Sequence, residues 1–337
     1  MPKFLLIQTA FIGDVVLATG IIEKLHEFYP DAQIDFLVRK GNEQLLTGHP
    51  FLNQVLVWDK QKDKLFNLWD MLKLIRRNKY DKVINMQRFA ATGILTAFSG
   101  AKETIGFDKN PFSGFFSKKI KHIIASGRHE VERNHELIKD ITDAAAVRPK
   151  LYPQEKDFEY VKQFQQQPYI TIAPASVWFT KQYPKEKWID FIEKISFEIT
   201  IYLLGAPSDK QLCEEIRSKI KSQKPKIKIL AGQLSFLQSA ALMKGAMMNY
   251  VNDSAPMHFA SAMNAPVTAV YCSTVPDFGF GPLSDVRFIV QKDEPLYCRP
   301  CGLHGYRACP EKHFRCAFEI KDEHLIESLQ QHHSPSE

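Results

Sequence analysis

The residue types that most clearly indicate chemistry lie between two apolar runs, in the sequence Asn252-Asp253-Ser254-Ala255-Pro256-Met257-His258. Before this segment, Met247 to Val251 predicts a short buried strand, and after it Met257 to Met263 predicts a helix of small residues. A further strand is predicted over Val267 to Tyr271, so the pattern is that of a βαβ unit. The segment therefore predicts a strand-to-helix turn.

Such a turn is suited to binding an anion. Pro256 fits the first helical turn, where its missing N–H has no partner to lose, and Asp253 or Ser254 can cap the helix. The remaining amides and the helix dipole favour negative charge, and His258 could donate a hydrogen bond to the same anion. The alternative is an ordinary capped helix in an α/β domain.

An acidic residue follows the first predicted strand of the chain. That strand runs into Thr9-Ala10-Phe11-Ile12-Gly13-Asp14, with a helix expected to start near Asp14 or Val15. No G-x-G-x-x-G is present, which disfavours a Rossmann-type NAD site. Gly13 permits a tight turn, and Asp14 at the helix N-terminus is either a cap or a catalytic base.

The first strand of the second half ends in a loop that could hold a diphosphate. Lys181 offers a flexible positive charge, while the hydroxyls of Ser176 and Thr180 offer hydrogen bonds. The alternative for Lys181 is a solvated surface lysine. Gly205 follows the next strand, where turn geometry is a stronger reason for glycine than ligand contact.

Four of the six cysteines cluster near the C-terminus. A C-x2-C pair indicates zinc or a disulfide. A cytoplasmic setting disfavours disulfides, and four thiolates could close a structural zinc site, although the second pair is spaced too widely for a zinc ribbon. Cys213 and Cys272 are expected to be buried. The four clustered residues are Cys298, Cys301, Cys309 and Cys316.

The elements that must position these residues alternate between strands and helices in both halves of the chain. A connector with two prolines, followed by a polar run, separates the halves near residues 145–165. In the first half, strands are predicted over Lys3–Gln8, Gln33–Val38, Gln54–Trp58 and Lys82–Asn85, with helices over Val15–Phe28 and Leu65–Arg77. In the second, strands are predicted over Tyr169–Ala173, Ile199–Leu204 and Lys228–Leu230, in addition to the two above. Helices are predicted over Lys187–Ile195, Lys210–Lys221, Leu234–Met243 and Glu319–Gln331.

Composition limits the class of protein. The 337 residues, 45% hydrophobic and 24% charged, contain no apolar run long enough for a membrane span. The formal charge of +6 is too modest for a dedicated nucleic-acid binder, and no signal peptide is indicated. The basic residues are concentrated in two places: eight Lys or Arg against four Asp between Asp59 and Lys82, and a second cluster at Lys118–His122. These clusters are either solvated faces or surfaces that attract anionic lipid or phosphorylated acceptors.

Taken in order, these motifs resemble glycosyltransferase family 9, the ADP-heptose:lipopolysaccharide heptosyltransferases. The likeness runs from about Lys3 to the final helix and rests on five short motifs. They are Ile12-Gly13-Asp14-Val15-Val16, Thr180-Lys181-x-x-Pro184, Leu204-Gly205-x-Pro207, Ala231-Gly232 and Asn252 to His258. The resemblance implies an α/β fold of GT-B architecture, in which two Rossmann-like parallel-sheet domains face a central cleft. It implies an acceptor-binding domain over 1–155, a nucleotide-sugar-binding domain over 156–320, and a C-terminal helix with a frayed tail over 321–337.

The resemblance also implies roles for individual residues. Asp14 would be the general base of an inverting transfer, and Lys181 would stabilise the departing diphosphate. Gly13, Gln87 and Arg88 would contact the acceptor. The donor would be bound by Ser176, Thr180, Lys181, Gly205, Asp253, Ser254, Ala255 and His258. No cofactor would be required for catalysis.

The implied activity is transfer of a heptose or related sugar from a nucleotide diphosphate, ADP-heptose, to the lipopolysaccharide inner core or a similar glycan. The expected partners are that donor and the glycolipid acceptor, with no nucleic acid, in the cytoplasm with peripheral contact to the inner membrane. The donor loop departs from the family by having Ser254-Ala255 where glycine is common, and Ala206 departs in the same way, which leaves the donor's identity open. The alternatives are a non-catalytic nucleotide-sugar binding protein and another GT-B enzyme such as an epimerase.

Overall fold

The structure is a computed structural model that describes residues 1–60, 64–124 and 127–333, without the side chains of residues 64, 65, 332 and 333. The predicted frayed tail, His332 to Glu337, lies outside the described residues from 334 onward. The chain divides into two compact units, Met1–Tyr152 and Pro153–Glu337.

The first unit is one parallel sheet with helices. Its elements are β1 (Lys3–Ile7), α1 (Ile12–Phe28), β2 (Gln33–Arg39), β3 (Gln54–Trp58), α2 (Lys64–Asn78), β4 (Lys82–Asn85), α3 (Ala90–Ala97), β5 (Glu103–Phe107), β6 (Lys118–Ile120) and α4 (Glu130–His135). The strand order is β3-β2-β1-β4-β5-β6, with every pair parallel. Helices cover the faces of such a sheet, so β1 is apolar along its length and buried from Phe4 to Ile7.

The second unit repeats this architecture. Its elements are α5 (Glu155–Val161), β7 (Tyr169–Ala173), α6 (Lys185–Glu193), β8 (Ile199–Leu203), α7 (Lys210–Lys219), β9 (Pro225–Ile229), α8 (Phe236–Lys244), β10 (Asn249–Asn252), α9 (Ala255–Ala262), β11 (Val267–Tyr271), β12 (Arg287–Gln291), α10 (Arg315–Phe318) and α11 (Glu323–His333). The strand order is β12-β11-β10-β7-β8-β9, again all parallel. Leu325 and Leu329 of α11 belong to its buried core.

Both sheets have a point at which the strand order reverses. Connections from β1 build the sheet in one direction through β2 and β3, and those from β4 build it in the other, so the reversal lies between β1 and β4. In the second unit it lies between β7 and β10. The crevice beyond the carboxyl ends of two such strands is where open α/β sheets bind ligands.

The predicted α/β class is confirmed, and the predicted strands Gln54–Trp58, Lys82–Asn85, Tyr169–Ala173 and Val267–Tyr271 have the observed bounds. The predicted start of the first helix was too late, because α1 begins at Ile12 and places Gly13 and Asp14 in its first turn. The final helix begins at Glu323, later than predicted. The sequence did not predict α3, β5, α4, α5 and β12, and the basic cluster at Lys118 contains the short edge strand β6.

Candidate functional site

In the second unit, the predicted donor residues Lys181 and Asp253 meet at the strand reversal. The Lys181 ammonium lies 2.7 Å from Asp253 Oδ2, and both side chains are largely buried. The Thr274 hydroxyl, which follows β11, donates to the same carboxylate oxygen at 2.7 Å. Loops from three neighbouring strands, β7, β10 and β11, therefore converge on one charged pair. Burying such a pair is stabilising only when hydrogen bonds of this kind accompany it.

Asn252, the last residue of β10, fixes the two loops relative to each other. Its side chain is fully buried. Its Oδ1 accepts from the Tyr183 N–H at 2.8 Å, and its Nδ2 donates to the Pro174 carbonyl at 2.9 Å. Both partners belong to the loop after β7 that carries Lys181. One amide side chain thus pairs donor with acceptor across the reversal, which no other residue type of similar size can do.

Helix α9 begins beside this pair, at Ala255. Pro256 lies in the first turn, as predicted, and His258 is buried within the same helix. The expected capping differs from the structure. Ser254 is the N-cap residue but makes no side-chain cap hydrogen bond, and the Asp253 carboxylate is engaged with Lys181 instead. In this first turn Pro256 has no N–H, and the Met257 N–H donates to the Ser254 carbonyl at 3.1 Å, so the helix dipole and Lys181 are what favour an anion here.

Three further predicted donor residues occupy neighbouring loops. Ser176 is half-buried, and its carbonyl accepts from the Gln182 side chain at 2.7 Å. Gly205 follows β8, where an added Cβ would lie 2.8 Å from Asp209 Cβ, so close packing requires glycine there. Thr180 is 1% exposed, and its hydroxyl accepts from the Tyr306 N–H at 2.7 Å. The Thr180 hydroxyl therefore serves an internal contact in this structure.

In the first unit, the predicted acceptor residues lie at the reversal between β1 and β4. Gly13 and Asp14 are half-buried in the first turn of α1, directly after β1. Gln87 and Arg88 follow β4, the neighbouring strand. Gln87 is buried and donates to the side chain of Gln8, whereas Arg88 is exposed. The structure thus brings Asp14 and Arg88 to adjacent strand ends and gives Gln87 a supporting position.

Sequence reasoning missed an ion pair in α4 that shares this environment. Glu130 lies 2.6 Å from the Arg133 guanidinium, and both side chains are buried. Burial raises the pKa of Glu130 to about 7, the Arg133 charge opposes that rise, and the nearby Asp14 carboxylate adds to it. The negative charge of Asp14 therefore disfavours ionisation of Glu130. No sequence motif marked Glu130 or Arg133.

Lys60 is another charged residue of the first unit that the sequence motifs did not single out. It follows β3, and its ammonium donates to Thr9 Oγ1 at 2.7 Å and to the Thr9 carbonyl at 3.2 Å. Its side chain also lies over the Trp58 ring, 4.9 Å from the centroid. Burial lowers the pKa of Lys60 to about 8, and the charge of Arg39 contributes. Together with Arg39 and Arg88, Lys60 makes this sheet edge basic.

The clustered cysteines do not support the predicted zinc site. Cys298, Cys301 and Cys309 are half-buried, Cys316 is buried, and all are free thiols. Burial raises the pKa of the Cys316 thiol to about 12. Within residues 1–60, 64–124 and 127–333, no three His, Cys, Asp or Glu side chains are arranged to hold a metal ion. Cys213 and Cys272 are buried, as expected.

Among the helices that the structure describes, none combines the length and the apolar character needed to cross a membrane.

Comparisons with known proteins agree with this geometry. Residues 68–305 match the family model described as glycosyltransferase family 9 (heptosyltransferase). Over 284 residues the chain is 28% identical to lipopolysaccharide heptosyltransferase 3 of Escherichia coli, covering 78% of this chain and 82% of that protein. Over 349 residues it is 23% identical to lipopolysaccharide heptosyltransferase 1 of Pseudomonas aeruginosa, covering 95% and 92%.

Solved structures show the same fold. The E. coli ADP-heptose lps heptosyltransferase II superimposes with a TM-score of 0.81 at 21% identity, over 98% of each chain. A glycosyl transferase of family 9 from Veillonella parvula DSM 2008 gives a TM-score of 0.83 at 19% identity, over 98% of this chain and 97% of that one. The architecture is therefore that of GT-B glycosyltransferases. With the family match over residues 68–305, the chain belongs to glycosyltransferase family 9, the heptosyltransferase family, and is an enzyme that transfers a glycosyl group.

Proposed function

We propose that this enzyme transfers a heptose, or a closely related sugar, from ADP-heptose to the lipopolysaccharide inner core or a similar glycan. The observation that carries the proposal is the Lys181–Asp253 pair at the strand reversal beside the start of α9. A lysine and the positive end of the helix dipole at this position suit the diphosphate of a nucleotide sugar. The heptose and the lipopolysaccharide acceptor in this proposal are taken from relatives that are lipopolysaccharide heptosyltransferases.

The second unit is proposed to bind the donor. Lys181 contacts the diphosphate beside the N-terminus of α9, with Ser254, Ala255 and His258 on its sugar side. Ser176 and Gly205 border the same crevice. When the bond between the anomeric carbon and the diphosphate oxygen breaks, the electron pair stays on the diphosphate, and Lys181 stabilises that added charge.

The first unit is proposed to bind the acceptor, with Asp14 as the general base. Its carboxylate takes the proton of the acceptor hydroxyl while that oxygen attacks the anomeric carbon from the face opposite the diphosphate. The sugar is therefore transferred with inversion. Arg88 and Lys60 are suited to carboxylate or phosphate groups of an acidic acceptor, and Gly13 lets the acceptor approach the backbone.

The proposal is tested with purified protein, ADP-heptose, UDP-sugars and a defined inner-core acceptor. We expect transfer from ADP-heptose with inverted configuration at the anomeric carbon. Asp14→Asn should reduce kcat by about 10²–10⁴-fold, the usual contribution of a general base, while ADP-heptose binding stays within about twofold. Asp31→Ala, an exposed carboxylate between α1 and β2, is the matched control and should leave turnover unchanged.

The outcomes separate the alternatives. Retained turnover in Asp14→Asn would remove Asp14 from the role of base. Isomerisation of the donor sugar without transfer would indicate an epimerase, a fold neighbour of this chain. Donor binding with neither reaction would indicate a non-catalytic binding protein.

We also propose that the first unit contacts an anionic membrane surface through one face of α2, at the cytoplasmic side of the inner membrane. This face, here called the α2 stripe, carries Phe66, Trp69, Lys73 and Arg76 at helical spacing. Phe66 is 77% exposed and Trp69 is 59% exposed, whereas Met71 and Ile75 on the opposite face are buried. Arg76 donates to the carbonyl of Phe98, which lies in ring contact with Phe115.

Exposed aromatic rings interleaved with cations bind at the headgroup region of acidic bilayers. We expect the protein to sediment with vesicles containing phosphatidylglycerol but not with phosphatidylcholine alone, and less so at high salt. Phe66→Ser/Trp69→Ser should abolish sedimentation. Phe197→Ser/Phe318→Ser, which alters two exposed rings of the second unit, should not. Equal sedimentation of all variants would refute the α2 stripe as the contact.

A further inference from the structure

A loop that carries the first two clustered cysteines packs against the residue preceding Lys181. In this segment, here called the 298–306 loop, the Tyr306 N–H donates to Thr180 Oγ1 at 2.7 Å. The Thr180 N–H donates back to the Tyr306 carbonyl at 3.1 Å. Thr180 is 1% exposed, so water does not compete for these bonds. The loop is thus joined reciprocally to the chain at Thr180.

The same loop is tied to the strand end that supports Asp253. The Cys301 N–H donates to the Ser273 carbonyl at 2.8 Å, and Ser273 donates through its own N–H and hydroxyl to Thr180. Arg299 donates to the Thr274 carbonyl at 2.8 Å. The Thr274 hydroxyl in turn donates to Asp253. Both members of the charged pair are therefore connected to the 298–306 loop.

Gly305 brings this loop against Lys181 itself. Its φ of +73° is in the left-handed region, and a Cβ added there would lie 2.8 Å from Thr180 Oγ1 and 3.0 Å from Lys181 Cγ. Contacts under 3.4 Å require a neighbour to move. The loop backbone thus occupies the space beside the lysine stem and limits the rotamers that this stem can adopt.

We propose that Gly305 and Thr180 are positioning residues that hold Lys181 in place for the diphosphate of a nucleoside-diphosphate ligand. A lysine side chain loses rotamer freedom when it binds a charge, and a stem already confined loses less. Thr180 does not contact the ligand. It fixes the position of Lys181 through the hydrogen bond between its buried hydroxyl and the 298–306 loop. This inference rests on the proposed function, because the diphosphate is that of the donor sugar.

Two glycine variants of the full-length protein provide a matched test, with ADP as the probe. Gly302 also has a left-handed φ, +65°, but its added Cβ would meet only the phenol group of Tyr306, with the hydroxyl oxygen at 3.2 Å. Gly302→Ala therefore introduces similar backbone strain without pressing on Lys181. We expect Gly305→Ala to weaken ADP binding about tenfold by calorimetry, and Gly302→Ala to change it by less than about twofold.

Substitutions of Thr180 separate positioning from packing. Thr180→Val keeps the shape but leaves the buried Tyr306 N–H without its acceptor, and we expect about tenfold weaker ADP binding. Thr180→Ser keeps the hydroxyl and should bind ADP as the wild type does. The KM of the acceptor should be the same in all folded variants, as judged by circular dichroism, because the altered contacts belong to the second unit.

The outcomes distinguish this inference from the proposed function. Equal loss of ADP affinity in Gly305→Ala and Gly302→Ala, or in Thr180→Ser and Thr180→Val, would overturn the positioning role alone. Failure of the wild type to bind ADP would overturn both. Wild-type ADP binding that depends on Gly305 and Thr180, without any heptose transfer, would overturn the proposed reaction and support the positioning role.

Discussion

Short polar side chains at the ends of strands do different work in this protein according to their partners. Asp253 and Ser254 are both good capping residues by type, yet neither side chain caps α9. Asp253 instead accepts from Lys181 and Thr274. Thr180 was predicted to contact phosphate, but its hydroxyl serves Tyr306 and Ser273. Residue type and position along the chain predicted which of these residues follow a strand, while the partner of each side chain depended on loops distant in sequence.

At the residue scale, Lys60 should make acceptor binding depend on pH. Its pKa is lowered to about 8 by burial and by Arg39, so it loses its charge as the pH rises through 8. If Lys60 binds an anionic group of the acceptor, the KM of the acceptor should rise between pH 7 and pH 9 by about tenfold, the cost of about 1.4 kcal/mol. Steady-state kinetics with varied acceptor across this range would measure it.

Lys60→Arg is the control, because a guanidinium stays charged over this range and should give a flat profile. The loss of the Lys60 charge should weaken acceptor binding but increase the free energy of unfolding as the pH rises. A folded-state pKa below the unfolded value of 10.5 means that the unfolded chain binds more protons between about pH 8 and 10.5, so this contribution to stability grows as the pH rises. A steep KM profile that persists in Lys60→Arg would assign the titration to another group.

At the scale of elements, the apolar strands were predictable and the irregular ones were not. Buried parallel strands read as continuous apolar runs, which is why β7 and β11 were located to the residue. The bounds of β4 and of the edge strand β3 were also predicted correctly. In β5 the run is broken by Gly106, which is needed because a Cβ there would lie 2.6 Å from the Phe116 ring. The edge strand β6 has only three residues, two of them lysine, and such charges keep an edge from pairing further.

Asn252 offers a test of how β10 and the loop after β7 are held together. Asn252→Ala would leave the buried Tyr183 N–H and the Pro174 carbonyl unpaired. Each orphaned group costs about 1–3 kcal/mol, so we expect the free energy of unfolding to fall by about 2–6 kcal/mol in urea denaturation. ADP affinity should fall as well, because this loop carries Lys181.

The matched control for Asn252 is Gln233→Ala, which removes an exposed amide that donates to the carbonyl of Ile229. That change should alter stability by no more than about 0.5 kcal/mol. A loss in Asn252→Ala no larger than in Gln233→Ala would show that the buried amide does not fix the loops.

At the scale of the whole molecule, both units have the same sheet topology around their candidate site residues. Each has six parallel strands, and each reverses strand order next to its first strand, β1 or β7. The sequence predicted two α/β halves and the residues at several strand ends. It could not predict which strands are neighbours, because that order depends on pairings between residues far apart in the chain. Lys60 and Glu130 were not singled out for this reason, since the hydrogen bond of Lys60 with Thr9 and the charge interaction of Glu130 with Asp14 join segments far apart in the chain.

The division into two units, each with its own reversal, predicts where a nucleotide should protect the backbone. A ligand that binds only the native second unit suppresses the openings of that unit through which amides exchange. With saturating ADP, we expect hydrogen exchange to slow in residues 174–183, 252–258 and 299–306 by at least about tenfold. Residues 9–14 and 85–89 of the first unit should be unchanged. Mass spectrometry of peptic fragments resolves these segments. If ADP slowed exchange at residues 9–14 and 85–89 as much as in the second unit, the assignment of nucleotide binding to the second unit would be contradicted.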